Sequence, residues 1–324
     1  MNTIVREMIS SIELSAPQSH GGVTVFPIRV YSEPMPEYLP LGEALQKELL
    51  KIMEVNESGS VPELRVENLA NSPVLLLDGE ELMGAKQNRV VNTTVLLRKR
   101  SNTIIPVSCT ERGRWNYVSP VFEDSEIVMS RVARSRKSRS VSESLRSSRG
   151  HRSDQMGVWD EVDRLGERLG SRSRSSAMRD GYMRRAPELD EWLTRFPHQP
   201  EQTGFVVLVE GKAVGAELLP NPGAYRQAHA KLLKSYLIDL LGERLDQEAE
   251  AGEAVARAFL DGLPSLEEST FPSVGHGVDL RYEREEVCGS ALVYEDALIH
   301  AAFFVEAPGA GRRGRHPVTS FTRA

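Results

Sequence analysis

Two polar clusters in the first third of the chain hold the residue types best suited to chemistry. The first runs Lys86-Gln87-Asn88-Arg89, and the second spans residues 109–115. Lysine and arginine bind anionic oxygens, and arginine can do so with two parallel hydrogen bonds. Amide side chains can read hydroxyl or amide edges, and an indole can stack on a planar ring. Together these residue types indicate a site for an anionic, ring-bearing ligand.

The individual candidates fall into two groups. Candidate ligand contacts are the cationic, amide and indole side chains Lys86, Gln87, Asn88, Arg89, Asn92, Arg114 and Trp115. Candidate catalytic groups are Glu80, Glu81 and Glu111 as acids or bases and Cys109 as a nucleophile. Carboxyl groups do such work near neutral pH only where a dry pocket moves their pKa. Two plainer roles stay open: ion pairs between these cations and glutamates, and burial of the cysteine as a packing residue.

The elements around the clusters decide whether the clusters can meet. Residues 90–97 and 103–107 are apolar, strand-like runs that 98–102 would join in a hairpin. Antiparallel pairing would carry the residues after 107 back towards those before 90. Both clusters would then lie at one edge of a sheet and share a cavity.

The rest of the first half reads as mostly β. An apolar, β-branched run predicts a strand at 23–31. Apolar residues at spacings of three and four predict a helix over 41–53. A loop is expected at 54–62, and further strands at 63–66 and 74–77.

The pattern after residue 152 is helical and then returns to β. Helices are predicted at 158–169 with Ser153 or Asp154 as N-cap, at 222–241 capped by Asn221, and at 255–263. Strands are predicted at 204–209 and 213–218, joined by a hairpin at 210–212, and at 278–282, 287–294 and 297–305. These elements indicate an α+β fold, with a mostly antiparallel or mixed sheet built from N- and C-terminal strands and a helical middle section.

Residues 131–152 differ in composition from the rest of the chain. They hold eight basic residues and seven serines against one acid, in a chain whose net charge is −6. This Arg/Ser segment is either a solvated connection or helix face, or an anion-contacting arm. Because it contains no aromatic residue for base stacking, an RNA contact is the weaker reading. We expect one intertwined unit over 1–324, with a β-rich half at 20–130, the Arg/Ser segment, helices then strands at 153–305, and a tail at 306–324.

Familiar catalytic and cofactor motifs are present only in part. Residues 309–314 match the dinucleotide glycine pattern, but the ten residues after them include Pro317 and leave no room for the required helix. Cys109 and Arg114 are one residue too close for the phosphate loop of cysteine phosphatases. The histidines show no paired ligand spacing and no CxxC occurs, so we expect no metal and no cofactor. Two cysteines and no long apolar run indicate a cytoplasmic protein that does not span or anchor in a membrane.

The polar clusters also carry a family resemblance. The matching runs are Gly79-Glu80, Gly84-Ala85-Lys86-Gln87-Asn88-Arg89 and Ile105-Pro106-Val107-Ser108-Cys109-x-Glu111-x-Gly113-Arg114-Trp115, with support from Trp159 and residues 224–236. The chain resembles the ADP-ribosylglycohydrolase- and rhodanese-phosphatase-associated protein domain, a bacterial family whose name records genomic association with enzymes of NAD and ADP-ribose metabolism. The resemblance implies that the site residues are Glu80, Lys86, Gln87, Asn88, Arg89, Cys109, Glu111, Arg114 and Trp115, and it implies no catalytic mechanism.

Two functions of different class follow. The leading hypothesis is a domain that binds a nucleotide-like or ADP-ribose-related anion, with processing of that ligand, and hence enzymatic activity, left open. The alternative is a non-enzymatic interaction module that docks a partner enzyme, with the Arg/Ser segment as its contact arm.

Overall fold

The structure, a computed structural model, describes residues 1–31, 35–171, 175–246 and 252–306. These residues form eight α-helices and eighteen β-strands. The helices are α1 (Thr3–Ser10), α2 (Leu41–Gln46), α3 (Arg131–Arg146), α4 (Gln155–Leu169), α5 (Met178–Arg184), α6 (Ala186–Leu193), α7 (Pro222–Leu237) and α8 (Glu253–Gly262). The strands of the N-terminal half are β1 (Glu13–Leu14), β2 (Gln18–His20), β3 (Val23–Arg29), β4 (Leu39–Pro40), β5 (Leu50–Glu54), β6 (Glu63–Asn68), β7 (Val74–Leu76), β8 (Glu80–Gly84), β9 (Arg89–Val91), β10 (Val95–Leu97), β11 (Ser101–Cys109) and β12 (Phe122–Val128). The later strands are β13 (Gly204–Val209), β14 (Lys212–Leu218), β15 (Glu267–Pro272), β16 (Val278–Arg284), β17 (Val287–Tyr294) and β18 (Ala297–Val305).

The largest sheet joins strands from both ends of the chain. Its nine strands lie in the order β1-β3-β13-β14-β18-β17-β16-β15, with β2 also paired to β3. All of these pairings are antiparallel. Helices α1 and α8 pack on one face and α7 on the other, which explains why β3 and β18 are apolar along nearly their whole length. The α+β prediction, with N- and C-terminal strands in one sheet, is confirmed.

Local signals placed several boundaries correctly. Glu210 and Gly211 both have positive φ in the β13–β14 hairpin, as a tight two-residue turn requires. The side chain of Asn221 accepts a hydrogen bond from the amide of Ala224 and caps α7, and Asp154 caps α4 through Met156. No helix in the described part of the chain is long and apolar enough to cross a membrane.

The second sheet has six strands in the order β12-β8-β9-β11-β6-β5. Its edge strands β12 and β5 approach each other to within 8 Å between Cα atoms, so the sheet curls into a partly closed barrel. Apolar residues of the barrel strands and of α2 form its interior. A small sheet, β10-β7-β4, packs against it and contains a parallel pair, β4 with β7.

Two predictions in this half are wrong. The helix expected over 41–53 ends at Gln46, and Leu50–Glu54 is strand β5. Glu48 has a φ of +54°, which ends the helix, and Leu50 and Ile52 alternate with the exposed Lys51, the period of a strand. The strand expected over 90–97 is divided between β9 and β10, which lie in different sheets.

The reading of 131–152 as a solvated connection, a solvated helix face or a contact arm needs correction for residues 131–146, whereas residues 147–150 and 152 are exposed in the connection to α4. Residues 131–146 form helix α3, in which both polar and apolar side chains are buried: Ala133, Arg134, Ser135, Lys137, Ser138, Val141, Ser142, Ser144 and Leu145. Small serines allow close packing, and the buried cations meet carboxylates from other elements. A helix held in this way is not a free arm. The predicted tail beyond residue 306 lies outside the described residues.

Candidate functional site

Strand pairing between β9 and β11 brings the two polar clusters together. Val91 lies opposite Val107, Val90 opposite Ser108, and Arg89 opposite Cys109. The amide of Thr110 then donates to the carbonyl of Asn88, which extends the pairing one residue further. The chain therefore returns in the antiparallel sense that the sequence predicted, although the connection between the strands also passes through β10.

Arg114 and Glu111 hold the clusters together. The Arg114 guanidinium donates to the Glu111 carboxylate at 2.5 Å and to Asn88 Oδ1 at 3.1 Å. It also donates to the carbonyls of Gly84 and Ala85, and Glu111 accepts from the amide of Asn88. These contacts occupy both side chains within the protein, which is the ion-pair role that the sequence left open.

Gln87 and Cys109 lie deeper. Gln87 Oε1 accepts from Arg89 Nη1 at 2.9 Å and from Cys109 Sγ at 3.0 Å. Cys109 is fully buried, and burial raises the pKa of its thiol above the usual range. A buried, protonated thiol is a poor nucleophile, so this environment favours the packing role over catalysis.

The centre of the cluster is a buried pair that the sequence did not predict, Arg89 with Glu54. Arg89 is fully buried and Glu54 is 5% exposed, and Arg89 Nη2 lies 3.9 Å from Glu54 Oε1. Among the described residues, Arg89 Nε and Nη2 and both Glu54 carboxylate oxygens have no hydrogen-bond partner. The two groups form an ion pair with each other, but burying charged atoms without hydrogen bonds has a free-energy cost.

Aromatic rings and a lysine cover this pair. The Arg89 guanidinium lies 5.5 Å from the centre of the Trp115 ring, and Trp115 is 46% exposed. The Lys86 ammonium lies over the rings of Trp115 and Tyr117 and donates to the carbonyls of Glu57 and Ser58. The predicted stacking residue thus lies at the surface, directly above the buried guanidinium.

Three candidates lie outside this group. Glu81 is fully buried, and its carboxylate accepts a hydrogen bond from the Thr110 hydroxyl at 2.9 Å. Asn92 contacts Ser108, the carbonyl of His151 and the ammonium of Lys137, so it belongs to the interface with α3. Glu80 faces a separate cavity of about 1100 Å³ between α2, β12 and α7.

Lys231 forms ion pairs with two carboxylates in this cavity. Lys231 Nζ lies 2.5 Å from Glu80 and 3.2 Å from Asp124, and burial raises the pKa of Glu80 although Lys231 opposes that shift. Six acidic side chains line the cavity against three lysines: Glu43, Glu48, Glu80, Glu123, Asp124 and Glu126 against Lys51, Lys231 and Lys234. This surplus of negative charge disfavours a polyanionic ligand.

Four residues near these two sites were not predicted as site residues from the sequence: Glu54, Tyr117, Asp124 and Lys231. The predicted helix over 41–53 hid the period-two alternation of Leu50, Ile52 and Glu54 that would have placed the carboxylate on the buried face of a strand. For Lys231, helix periodicity gave no signal of its two distant carboxylate partners.

The fold and the site define an α+β protein built from a partly closed barrel, a larger two-faced sheet and a buried polar group capped by aromatic residues. Residues 11–304 match the family model of the ARG and Rhodanese-Phosphatase-superfamily-associated Protein domain, and the chain belongs to this family. No curated protein and no solved structure matches the chain.

Proposed function

We propose that this domain binds a nucleotide-like ligand related to ADP-ribose at the Arg89–Glu54 pair. The single observation that carries the proposal is a buried guanidinium with two unused donor atoms beneath an exposed indole. Trp115 supplies a stacking face for a planar ring, and Lys86 supplies a surface cation for phosphate oxygens. The family name, which associates the domain with ARG enzymes, supports this ligand class.

The acidic cavity is a less suitable place for such an anion. Its carboxylates outnumber its lysines, and Lys231 is already held by Glu80 and Asp124. By contrast, two cations lie near the Trp115 ring, Lys86 at 5.4 Å and Arg89 at 5.5 Å from its centre, against one carboxylate, Glu54, beside Arg89. We therefore place the anionic ligand at the barrel and not in the larger cavity.

Calorimetric titration of the whole chain with ADP-ribose, NAD and AMP tests the proposal. At least one of them should bind, and Trp115→Ala should weaken that binding about tenfold, because base–aromatic stacking contributes about 1–3 kcal/mol. Arg89→Met should have a similar or larger effect. Trp115 is half-exposed, so its variant should fold even if the arginine variant does not.

Tyr31→Ala is the matched control, because Tyr31 is also an exposed aromatic residue but lies two residues after the end of β3, a strand of the other sheet. The Tyr31→Ala variant should bind the same ligand with the affinity of the unmodified protein. Absence of heat with all three ligands would remove the proposal.

Docking of a partner enzyme is the second candidate function. One observation favours it: Trp115, Tyr117 and Val118 expose apolar surface from a single loop. Because α3 is packed into the fold, the proposed contact surface for the partner enzyme is this loop and not the Arg/Ser segment. Val118→Ser should reduce co-purification of an ADP-ribosylglycohydrolase (ARG) that is expressed together with the chain. Unchanged co-purification would count against this function.

A further inference from the structure

The cavity between α2, β12 and α7 is large enough to hold a small molecule. Its volume is about 1100 Å³, and small-molecule sites in proteins occupy about 300–1,000 Å³. Helix α2 and strand β12 belong to the barrel half, whereas α7 packs on the larger sheet. The cavity therefore lies where the two halves of the fold meet, and both contribute to its walls.

The inner wall of this cavity is apolar. Its almost completely buried lining residues are leucines and a phenylalanine: Leu50, Leu75, Leu77 and Phe122. Leu45 and Leu69 also line the cavity and are half-buried, so part of each side chain faces the open space. Contact with this wall would remove a hydrocarbon group from water, which is favourable in proportion to the area buried. The wall thus suits a ligand with an apolar body.

The opening of the cavity carries negative charge. Glu48, Glu123 and Glu126 line the cavity and are exposed, so their carboxylates lie where it meets the solvent. Among the described residues, none of these three carboxylates has a hydrogen-bond or ion-pair partner. A ligand that enters the cavity therefore meets charged groups that other side chains of the described chain do not neutralise.

The lysines of the cavity do not balance these glutamates. Lys231 is held by its two carboxylates, and Lys234 pairs at 2.7 Å with Asp190, which does not line the cavity. Lys51 is the lining lysine that remains. A cleft with a surplus of negative charge raises the local concentration of cations, so the ligand that fits the opening is cationic.

The arrangement fits an organic cation better than a metal ion. In the described part of the chain, no three acidic, histidine or cysteine side chains are grouped closely enough to hold a metal. An ammonium group needs no such cage, because each of its N–H groups can donate to a separate carboxylate. Lys231 shows this within the same cavity, where its ammonium lies 2.5 Å from Glu80 and 3.2 Å from Asp124.

We propose that this cavity is a second binding site, for an aliphatic amine. The ammonium group lies at Glu48, Glu123 and Glu126, and the hydrocarbon chain lies on the leucines of the inner wall. The inference goes beyond the proposed function, because it concerns a different part of the molecule and a ligand of opposite charge.

Octylamine and octanoate are the matched probes, because both carry an unbranched hydrocarbon chain and differ in the sign of the charged group. Calorimetry on the full chain at pH 7 should show octylamine binding at one site. Octanoate should bind more weakly by about tenfold or more, because the glutamates repel it. Butylamine should also bind more weakly by about tenfold or more, because its shorter chain buries less area on the wall.

Glu123→Gln combined with Glu126→Gln tests the opening. This double variant should bind octylamine about fivefold more weakly, which is the scale of two exposed ion pairs. Glu201→Gln is the matched control: Glu201 is exposed and has a positive φ, as Glu126 does, but it does not line the cavity. Its variant should bind octylamine with unchanged affinity.

The outcomes are separate from those of the proposed function. Absence of octylamine binding, equal binding of octanoate or of butylamine, or unchanged affinity in the double variant overturns the inference. None of these results bears on the binding of ADP-ribose, NAD or AMP at the Arg89–Glu54 pair. Failure of those nucleotides to bind would likewise leave the amine site standing.

Discussion

Glu81 and His229 are both buried and ionisable, and their shifted pKa values change the stability of the folded state with pH in opposite directions. Burial raises the pKa of Glu81, which accepts a hydrogen bond from Thr110, to about 7. Burial lowers the pKa of His229, which contacts Tyr225 and the carbonyl of Phe196, to about 4. Both ring nitrogens of His229 therefore have hydrogen-bond partners within the core. Because the two effects oppose each other, only difference measurements between variants can separate them.

Glu81→Gln should alter the pH dependence of unfolding. A carboxyl whose pKa is raised on folding stabilises the folded state below its ordinary pKa of 4.5, and this contribution disappears as the pH rises through 7. The stability of the unmodified protein relative to the variant should therefore fall by about 3 kcal/mol between pH 4 and pH 8. Urea denaturation at several pH values measures this difference. A difference that stays constant across the range would contradict the shift.

At the scale of elements, α3 shows how a segment that looks solvated can form part of the interior. Lys137 pairs with Asp78, and Arg134 pairs with Glu217 at 2.5 Å, both across tertiary contacts. Towards the surface, Arg146 pairs with Glu283 and Arg139 with Glu306. Its arginines thus connect the helix to β7–β8, to β14 and to the C-terminal strands, which leaves few of them available for RNA or a partner.

Lys137→Met and Arg146→Met each remove a cation from α3, but they should lower the free energy of unfolding by different amounts. Lys137 is fully buried, so its loss leaves Asp78 with a weaker set of partners and should destabilise the fold by about 3–5 kcal/mol. The side chain of Arg146 is 43% exposed, so its loss should cost less than about 1 kcal/mol. Chemical denaturation of both variants at pH 7 gives the comparison, and equal costs would show that the buried pair is no stronger than the surface pair.

At the scale of the whole molecule, the N-terminal segment completes a sheet formed mainly by the C-terminal half. Strand β3 lies between β1 and β13, and Val25, Phe26 and Ile28 within it are fully buried. Asp78, from the barrel half, supplies the carboxylate that Lys137 needs. From these long-range contacts we propose that the chain is one intertwined unit, which stays a prediction.

Residues 131–324 expressed alone should therefore fail to fold cooperatively. Without β3, the edge of β13 and both adjoining cores are exposed to water, and α3 carries buried cations without all their partners. Co-expression with residues 1–130 should restore a cooperative thermal transition, measured by circular dichroism. A fragment that melts alone at the temperature of the full chain would show instead that the C-terminal half is an independent domain.

Some residues of the site could be predicted from the sequence and others could not, and the difference has a physical reason. Arg89 and Trp115 were found because each belongs to a polar cluster next to the strand return that the sequence predicts. Glu54 was missed because its partner lies 35 positions away, and a short apolar run fits a helix and a strand equally well until a neighbouring strand pairs with it. Propensity and periodicity are local, whereas strand pairing is not.

By itself, the sequence determined the α+β class, the capped helices α4 and α7, the β13–β14 hairpin and the strands β17 and β18, because turns, caps and repeating apolar positions act within a few residues. Only the tertiary structure decided that α3 lies inside, that Arg114 is occupied by Glu111 and carbonyls, and that Arg89 faces Glu54. Whether a charge is solvated or neutralised depends on which distant groups the fold brings within a few ångströms, and no local pattern encodes that distance.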